Sequence, residues 1–183
     1  DSGSAIYFTF ALALMIVFLV LAAQFESFIH PFVIMMSVPL ALLGALVGLK
    51  VFGSSLNIFS QVGIIILIGI AAKNGILIVE FANQLRDAGR NVHEAILEAA
   101  QIRLRPIVMT GLSTMFGALP LVMASGAGAE TRETIGVVIV SGVFIATALT
   151  LVVVPVFYSL LGPYTRSPHA VARELESLQD VQV

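Results

Sequence analysis

Five long apolar runs alternate with short polar breaks along this chain, over residues 5–25, 32–49, 58–85, 107–125 and 135–161. A helix rises about 1.5 Å per residue and the hydrocarbon core of a bilayer is about 30 Å thick, so ~20 apolar residues cross it. Each run is therefore predicted as a membrane-spanning helix. Between the first two, residues 24–31 mix polar and aromatic side chains, the composition of an interfacial turn. Pro39 is expected to bend the second run and Pro120 the fourth. Gly44 and Gly48 lie at the small-xxx-small spacing that lets membrane helices approach closely. Residues 50–57 and 126–133 read as loops. In the polar segment 86–105, Asn91 and Glu94 have the spacing of a capping box, and Val92, Ile96, Ala99 and Ala100 share a face. A short amphipathic helix along the membrane surface is predicted over 91–102. Gly162 and Pro163 stop the last run, and residues 164–183 are expected to form a flexible tail. The fold class expected is all-α, an integral membrane helical bundle.

Composition agrees with that pattern. The chain is 58% hydrophobic and 11% charged, with mean hydropathy +1.04, where a soluble domain carries about a quarter charged residues. There is no cysteine, so disulfides, thiolate metal sites and cysteine nucleophiles drop out. A net charge of −2 offers no basic face, and nucleic acid is not an expected partner. The first residue is Asp1, without the positive stretch of a signal peptide, which predicts a processed protein or a piece of a longer chain. Charge also orients the spans. Arg86, Arg90, Arg103, Arg105, Arg166 and Arg173 fall on one side if there are five spans, against Lys50 and Arg132 on the other. Basic loops stay in the cytoplasm, so the C-terminus is expected there and Asp1 outside.

One residue breaks the apolar pattern. Lys73 lies near the midpoint of the third run, in Gly69-Ile-Ala-Ala-Lys-Asn-Gly-Ile-Leu-Ile-Val-Glu-Phe81. An ammonium at that depth costs about 2.5–3.5 kcal/mol even on a lenient insertion scale, and the interface is too far for the side chain to snorkel. It needs a carboxylate partner or a water-filled cavity. Glu80 shares its face but sits about 10.5 Å further along the helix, and Glu26 belongs to a turn. No carboxylate of this chain is expected within ion-pairing distance of Lys73, so the partner is sought outside it. Glu80, near the interface, reads first as an ordinary boundary charge and second as a transport residue. Asn74 suits interhelical hydrogen bonding or a relay equally well. Thr110 either bonds its own helix backbone or takes part in proton movement. His30, His93 and His169 read as loop and surface residues. Ser113 has no histidine at membrane depth to activate it, and no metal-ligand constellation is present.

The block around Lys73, together with Arg103-Leu-Arg-Pro-Ile-Val-Met-Thr110 and Val154-Pro-Val-Phe157, resembles the resistance-nodulation-division (RND) multidrug efflux transporters, in particular the hydrophobe/amphiphile efflux type. Residues 22–27 and 117–121 agree with it, and the likeness runs from about residue 5 to 161. The resemblance implies the last five helices of a twelve-helix permease in a bacterial inner membrane, with the N-terminus periplasmic. It implies drug/proton antiport of hydrophobic or amphiphilic compounds, driven by the proton motive force without a cofactor. In that family the lysine matching Lys73 contacts an aspartate pair on the fourth helix, and Thr110 and Arg103 match relay positions. The implied partners are the N-terminal half with those aspartates, two further copies in a homotrimer, a periplasmic adaptor and an outer-membrane channel. The aspartate pair and the drug-binding porter domain are not in this sequence. The alternative is a non-transporting scaffold or inert truncated fragment; an intramembrane enzyme has no nucleophile–base pair behind it.

Overall fold

The computed structural model describes residues 2–165, with side chains from residue 7 onward. The tail expected over 164–183 lies outside the described residues from Arg166 onward. Six α-helices follow in order: α1 Ser2–Phe25, α2 Ile29–Met35, α3 Ser37–Val51, α4 Ile58–Asp87, α5 Val92–Val122 and α6 Ala129–Leu161. A short 3-10 turn, Gly162–Tyr164, closes the described chain, and no strand occurs among the described residues. Five helical stretches are long and apolar enough to cross a membrane, with α2 and α3 together making one of them. The protein is an all-α, multi-pass membrane bundle.

The α2–α3 break has a local cause. Pro39 carries no N–H for the Met35 carbonyl, and its ring crowds that carbonyl. The chain interrupts at Met36, whose N–H is shared between the carbonyls of Phe32 (3.2 Å) and Val33 (3.3 Å). Ser37 covers the junction by donating its hydroxyl to the Ile34 carbonyl at 2.7 Å. At α5 the outcome differs from the expectation of a separate surface helix over 91–102. That stretch is the first third of α5, which runs through Pro106 and Pro120 without a break. The buried Ala95, Ile96 and Ala99 continue in line with Ile107 and Gly111, so one inward stripe serves both parts. Nor does Asn91 cap this helix through its side chain. The reciprocal capping box sits instead at α4, where Asn57 Oδ1 accepts from Phe59 N (3.1 Å) and Ser60 N (2.9 Å) and Asn57 N donates to Ser60 Oγ (2.9 Å).

The last helix is the hub. α6 packs against α3, α4 and α5, and α4 also lies against α5 and α3. The α3–α6 contact uses the small residues as expected: a Cβ on Gly44 would lie 2.9 Å from Ile145 Cβ, and one on Gly48 would collide with Ser141. α4 and α6 run parallel, because Gly63 meets Val138, Leu67 meets Gly142, and Asn83 meets Tyr158. α1 is peripheral, entering the core mainly through Leu21 and Phe25. The buried apolar side chains form two clusters, one around Leu67 and Val138, the other around Ile78 and Val154. The boundary between them falls at Ala71 and Ala72, the turn that leads into Lys73.

Candidate functional site

The inward stripe of α4 includes Leu67, Ala71, Asn74, Ile78 and Ala82, repeating at helical spacing. Lys73 falls off that stripe and is exposed, in line with exposed Gly69, Glu80 and Gln84. Beside Gly69, one turn away, there is open space. No Asp or Glu oxygen among the described residues lies within 4.0 Å of the Lys73 ammonium. The chain therefore presents an ammonium at mid-span on an open helix face, without a counter-charge among the described residues.

Asn74, the next residue, faces the opposite way and is 5% exposed. The parallel register of α4 and α6 sets it at the level of Thr147 and Thr150, which are 8% and 0% exposed. Neither threonine hydroxyl has a hydrogen-bond partner, whereas Thr134 and Ser141 of the same helix bond the carbonyls four residues back at 2.7 Å and 2.6 Å. Ser37 reaches the same level, its hydroxyl 3.3 Å from the Ala71 carbonyl. Behind Lys73 the two apolar clusters are thus separated by a polar layer drawn from α3, α4 and α6. Sequence reading passed over Ser37, Thr147 and Thr150. The available signal was three hydroxyl residues inside apolar runs, but only the packing brings them to one depth.

The other expected site residues divide. Thr110 is exposed and donates to the carbonyls of Pro106 and Ile107, each at 3.0 Å, so its hydroxyl is engaged by its own helix. Its neighbour Gly111 is buried against Thr147, whose Oγ1 would stand 3.0 Å from a Cβ there. Arg103 lies over the Phe81 ring at 4.7 Å, which joins α5 to α4 two turns below Lys73. Its Nε is buried without a hydrogen-bond partner. Glu80 and Glu26 are exposed, and Glu26 holds a left-handed backbone (φ 46°) where the chain turns from α1 into α2. His93 is exposed, as expected, but lies in the first turn of α5 rather than in a loop, and His169 lies outside the described residues. No three His, Cys, Asp or Glu side chains among the described residues gather to hold a metal ion.

His30 is the clear correction. Read as a surface loop residue, it is in fact in α2 and 1% exposed. Its ring lies between those of Phe25 and Tyr158, 5.8 Å from each. Tyr158 donates to Asn83 Oδ1 at 2.6 Å and accepts from Arg86 Nη1 at 3.3 Å. Arg86 also donates to Thr165, reaching Oγ1 at 3.1 Å and the carbonyl at 2.6 Å. The ends of α2, α4 and α6 meet in this buried polar cluster.

Comparison with known proteins places the fold. Residues 1–162 match the family model described as the AcrB/AcrD/AcrF family. An uncharacterized transporter of Haemophilus influenzae is 52% identical over 169 residues, which is 88% of this chain and 16% of that protein. The toluene efflux pump membrane transporter TtgB of Pseudomonas putida is 45% identical over 86% of this chain and 15% of its own length. The multidrug resistance protein MdtF of Escherichia coli is 46% identical over 81% of this chain and 14% of its own. The chain spans about a sixth of the length of these relatives. With the Lys73 block, the five spans and a match over nearly its whole length in agreement, the chain belongs to the AcrB/AcrD/AcrF family, the RND multidrug efflux transporters.

Proposed function

We propose that this chain is the lysine-bearing part of the membrane domain of a proton-driven efflux pump for hydrophobic or amphiphilic compounds. The observation that carries the reading is Lys73, exposed on an open helix face at mid-span with no carboxylate beside it among the described residues. An ammonium there is stable only against a partner carboxylate or water. In the complete transporter it stands against an aspartate pair from the N-terminal half. An adjacent ammonium favours the charged form of carboxylates, and protonating them releases it. That exchange rearranges the α4 face and couples proton entry to export. Arg103 of α5, seated on Phe81 of α4, lies toward the arginine-rich end of the bundle, and Thr110 joins when its hydroxyl leaves its own backbone. Asn74 braces the lysine turn from the bundle side, against the polar layer. The pump works in the inner membrane as a homotrimer with a periplasmic adaptor and an outer-membrane channel, the arginine-rich helix ends facing the cytoplasm.

The test is drug accumulation in cells that express Lys73→Ala in the full-length transporter at matched membrane levels. Without the ammonium, two buried like charges remain and one carboxylate keeps its proton. Accumulation is expected to rise to that of cells lacking the pump. Export at the wild-type rate would reduce Lys73 to a structural residue and end the reading.

A further inference from the structure

At the end of the bundle opposite Arg86, an apolar groove of about 220 Å³ opens between the ends of α3 and α5 and the first half of α6. It is lined chiefly by Val137, Val140, Ser141 and Phe144 of α6, with Leu119 of α5 and Phe52 from the end of α3. The one hydroxyl in the lining is occupied, since Ser141 donates to the Val137 carbonyl at 2.6 Å. Apolar cavities of this kind stay dry and accept apolar matter. Drug-sized ligands fill pockets of about 300–1,000 Å³, so this one takes a single chain or a single ring. Charge is found at one end of it. Continued toward the start of α6, the stripe of 137, 140, 141 and 144 reaches Glu133 and Glu130 at helical spacing. Glu133 is half-buried and Glu130 exposed, and neither has an ion-pair partner among the described residues. The helix dipole accounts for an acid in the first turn, as Glu130 is, but fades before Glu133. The cations of this end lie elsewhere. Arg132 is off the stripe, and its guanidinium donates to the Ala127 carbonyl at 2.9 Å. Lys50 is two positions past Gly48, which faces Ser141, and residues two apart on a helix do not share a face.

We propose that this groove binds a single-chain amphiphilic cation, with its alkyl part along Val137, Val140 and Phe144 and its ammonium against Glu133 and Glu130. The spacing fits. Val137 to Phe144 covers about 10.5 Å along the axis, and Glu133 stands about 6 Å further toward the helix start. A chain lying in the groove brings its head to the carboxylates without leaving the surface of α6. Lipid tails are as apolar as the groove, so a chain already dissolved in the membrane gains little from the lining alone. The preference for this place comes from the two unpaired acids at its mouth. A phospholipid fits less well. Its phosphate lies between the chains and any amine, which sets a negative group at the level of Glu133, where the stripe offers no cation. No residue of α4 lines the groove, so the site is separate from Lys73.

The full-length transporter is placed in phosphatidylcholine nanodiscs with a decyltrimethylammonium that carries a photoreactive diazirine in its chain. Labelled residues are then located by mass spectrometry. Labels are expected on Val137, Val140, Phe144 and Leu119, suppressed by plain decyltrimethylammonium but not by decyl sulfate. Glu133→Gln is expected to raise the half-saturating concentration about fivefold, the size of a partly exposed ion pair, and Glu133→Asp to restore most of it. Glu130→Gln, at an exposed position, gives a loss in the same direction and serves if the Glu133 variants do not insert. Val140→Phe fills the groove and removes the labels. Labels confined to other helices, or persisting in Val140→Phe, would put the chain outside the groove and overturn the site. Equal suppression by decyl sulfate, or unchanged affinity in both glutamine variants, would leave an apolar groove with no preference for a cation and end the proposal. So would suppression by phosphatidylethanolamine added to the nanodiscs, which would make a lipid the occupant. The assay runs without a proton gradient, so its failure leaves the transport reading to be judged by drug accumulation in Lys73→Ala.

Discussion

At the scale of residues, the informative features are polar groups that the helices cannot satisfy on their own. Lys73 has no counter-charge among the described residues, and Lys73→Arg is expected to export poorly, since a planar guanidinium does not reproduce a compact ammonium that moves between partners. Thr150 is a different case. Its hydroxyl is fully buried with no partner, so the fold carries its desolvation cost without a return bond. Thr150→Val keeps the shape and removes the open hydroxyl. It is expected to be neutral or to stabilise by up to about 1 kcal/mol, read as an unchanged or raised midpoint of thermal unfolding in detergent. A fall of the same size would mean that this hydroxyl does have a partner in the membrane.

At the scale of elements, the contact between α3 and α6 depends on glycine where no side chain fits. Gly48 faces Ser141 at a separation that leaves no room for a Cβ. Gly48→Leu is expected to push the two helices apart and to destabilise by about 1–3 kcal/mol, with a lowered unfolding midpoint while the spans remain inserted. An unchanged midpoint would show that α3 moves aside freely. The glycine spacing, the apolar runs and the lysine were all legible in the sequence, because each is a property of one helix and its period. The α2–α3 break was also legible, since Pro39 acts on its own preceding turn. The polar layer of Ser37, Thr147 and Thr150 was not, and neither were the start of α5 and the burial of His30. Whether α5 begins at Val92 or after Pro106 depends on whether α4 and α6 extend far enough to cover the early residues, which no local signal reports. His30 read as a surface residue because its neighbours Glu26, Ser27 and Pro31 mark a turn. Its burial comes from Tyr158, 128 positions later in the chain (158 − 30), and only the assembled bundle brings the two rings together.

At the scale of the whole molecule, the two ends of the bundle differ in charge. The C-terminal ends of α4 and α6 share one end, as the contact of Arg86 with Thr165 requires, and Arg103 lies near it over Phe81. Arg132 is at the opposite end, at the start of α6. If basic loops stay in the cytoplasm, a cysteine placed at Ala88 in the full-length, otherwise cysteine-free transporter will react with an impermeant thiol reagent only from the cytoplasmic side. One placed at Ala127 will react only from outside. Labelling of both from the same side would contradict the antiparallel crossing of α5. The polar layer behind Lys73 gives this two-ended body a mid-plane of a different kind, set between the two apolar clusters.

The parallel run of α4 and α6 has a further electrical consequence. Each peptide unit is a small dipole along the helix axis, and together they leave about half a negative charge at each C-terminal end. Two such ends lie side by side here, and helices that point the same way do not cancel one another. Arg86 sits between them, with its guanidinium on Tyr158 and on the Thr165 carbonyl. The arginine that fits the charge rule for the cytoplasmic side is therefore also the cation that neutralises two helix ends at once. A neutral residue at that position would leave a negative well at the foot of the helix that carries Lys73.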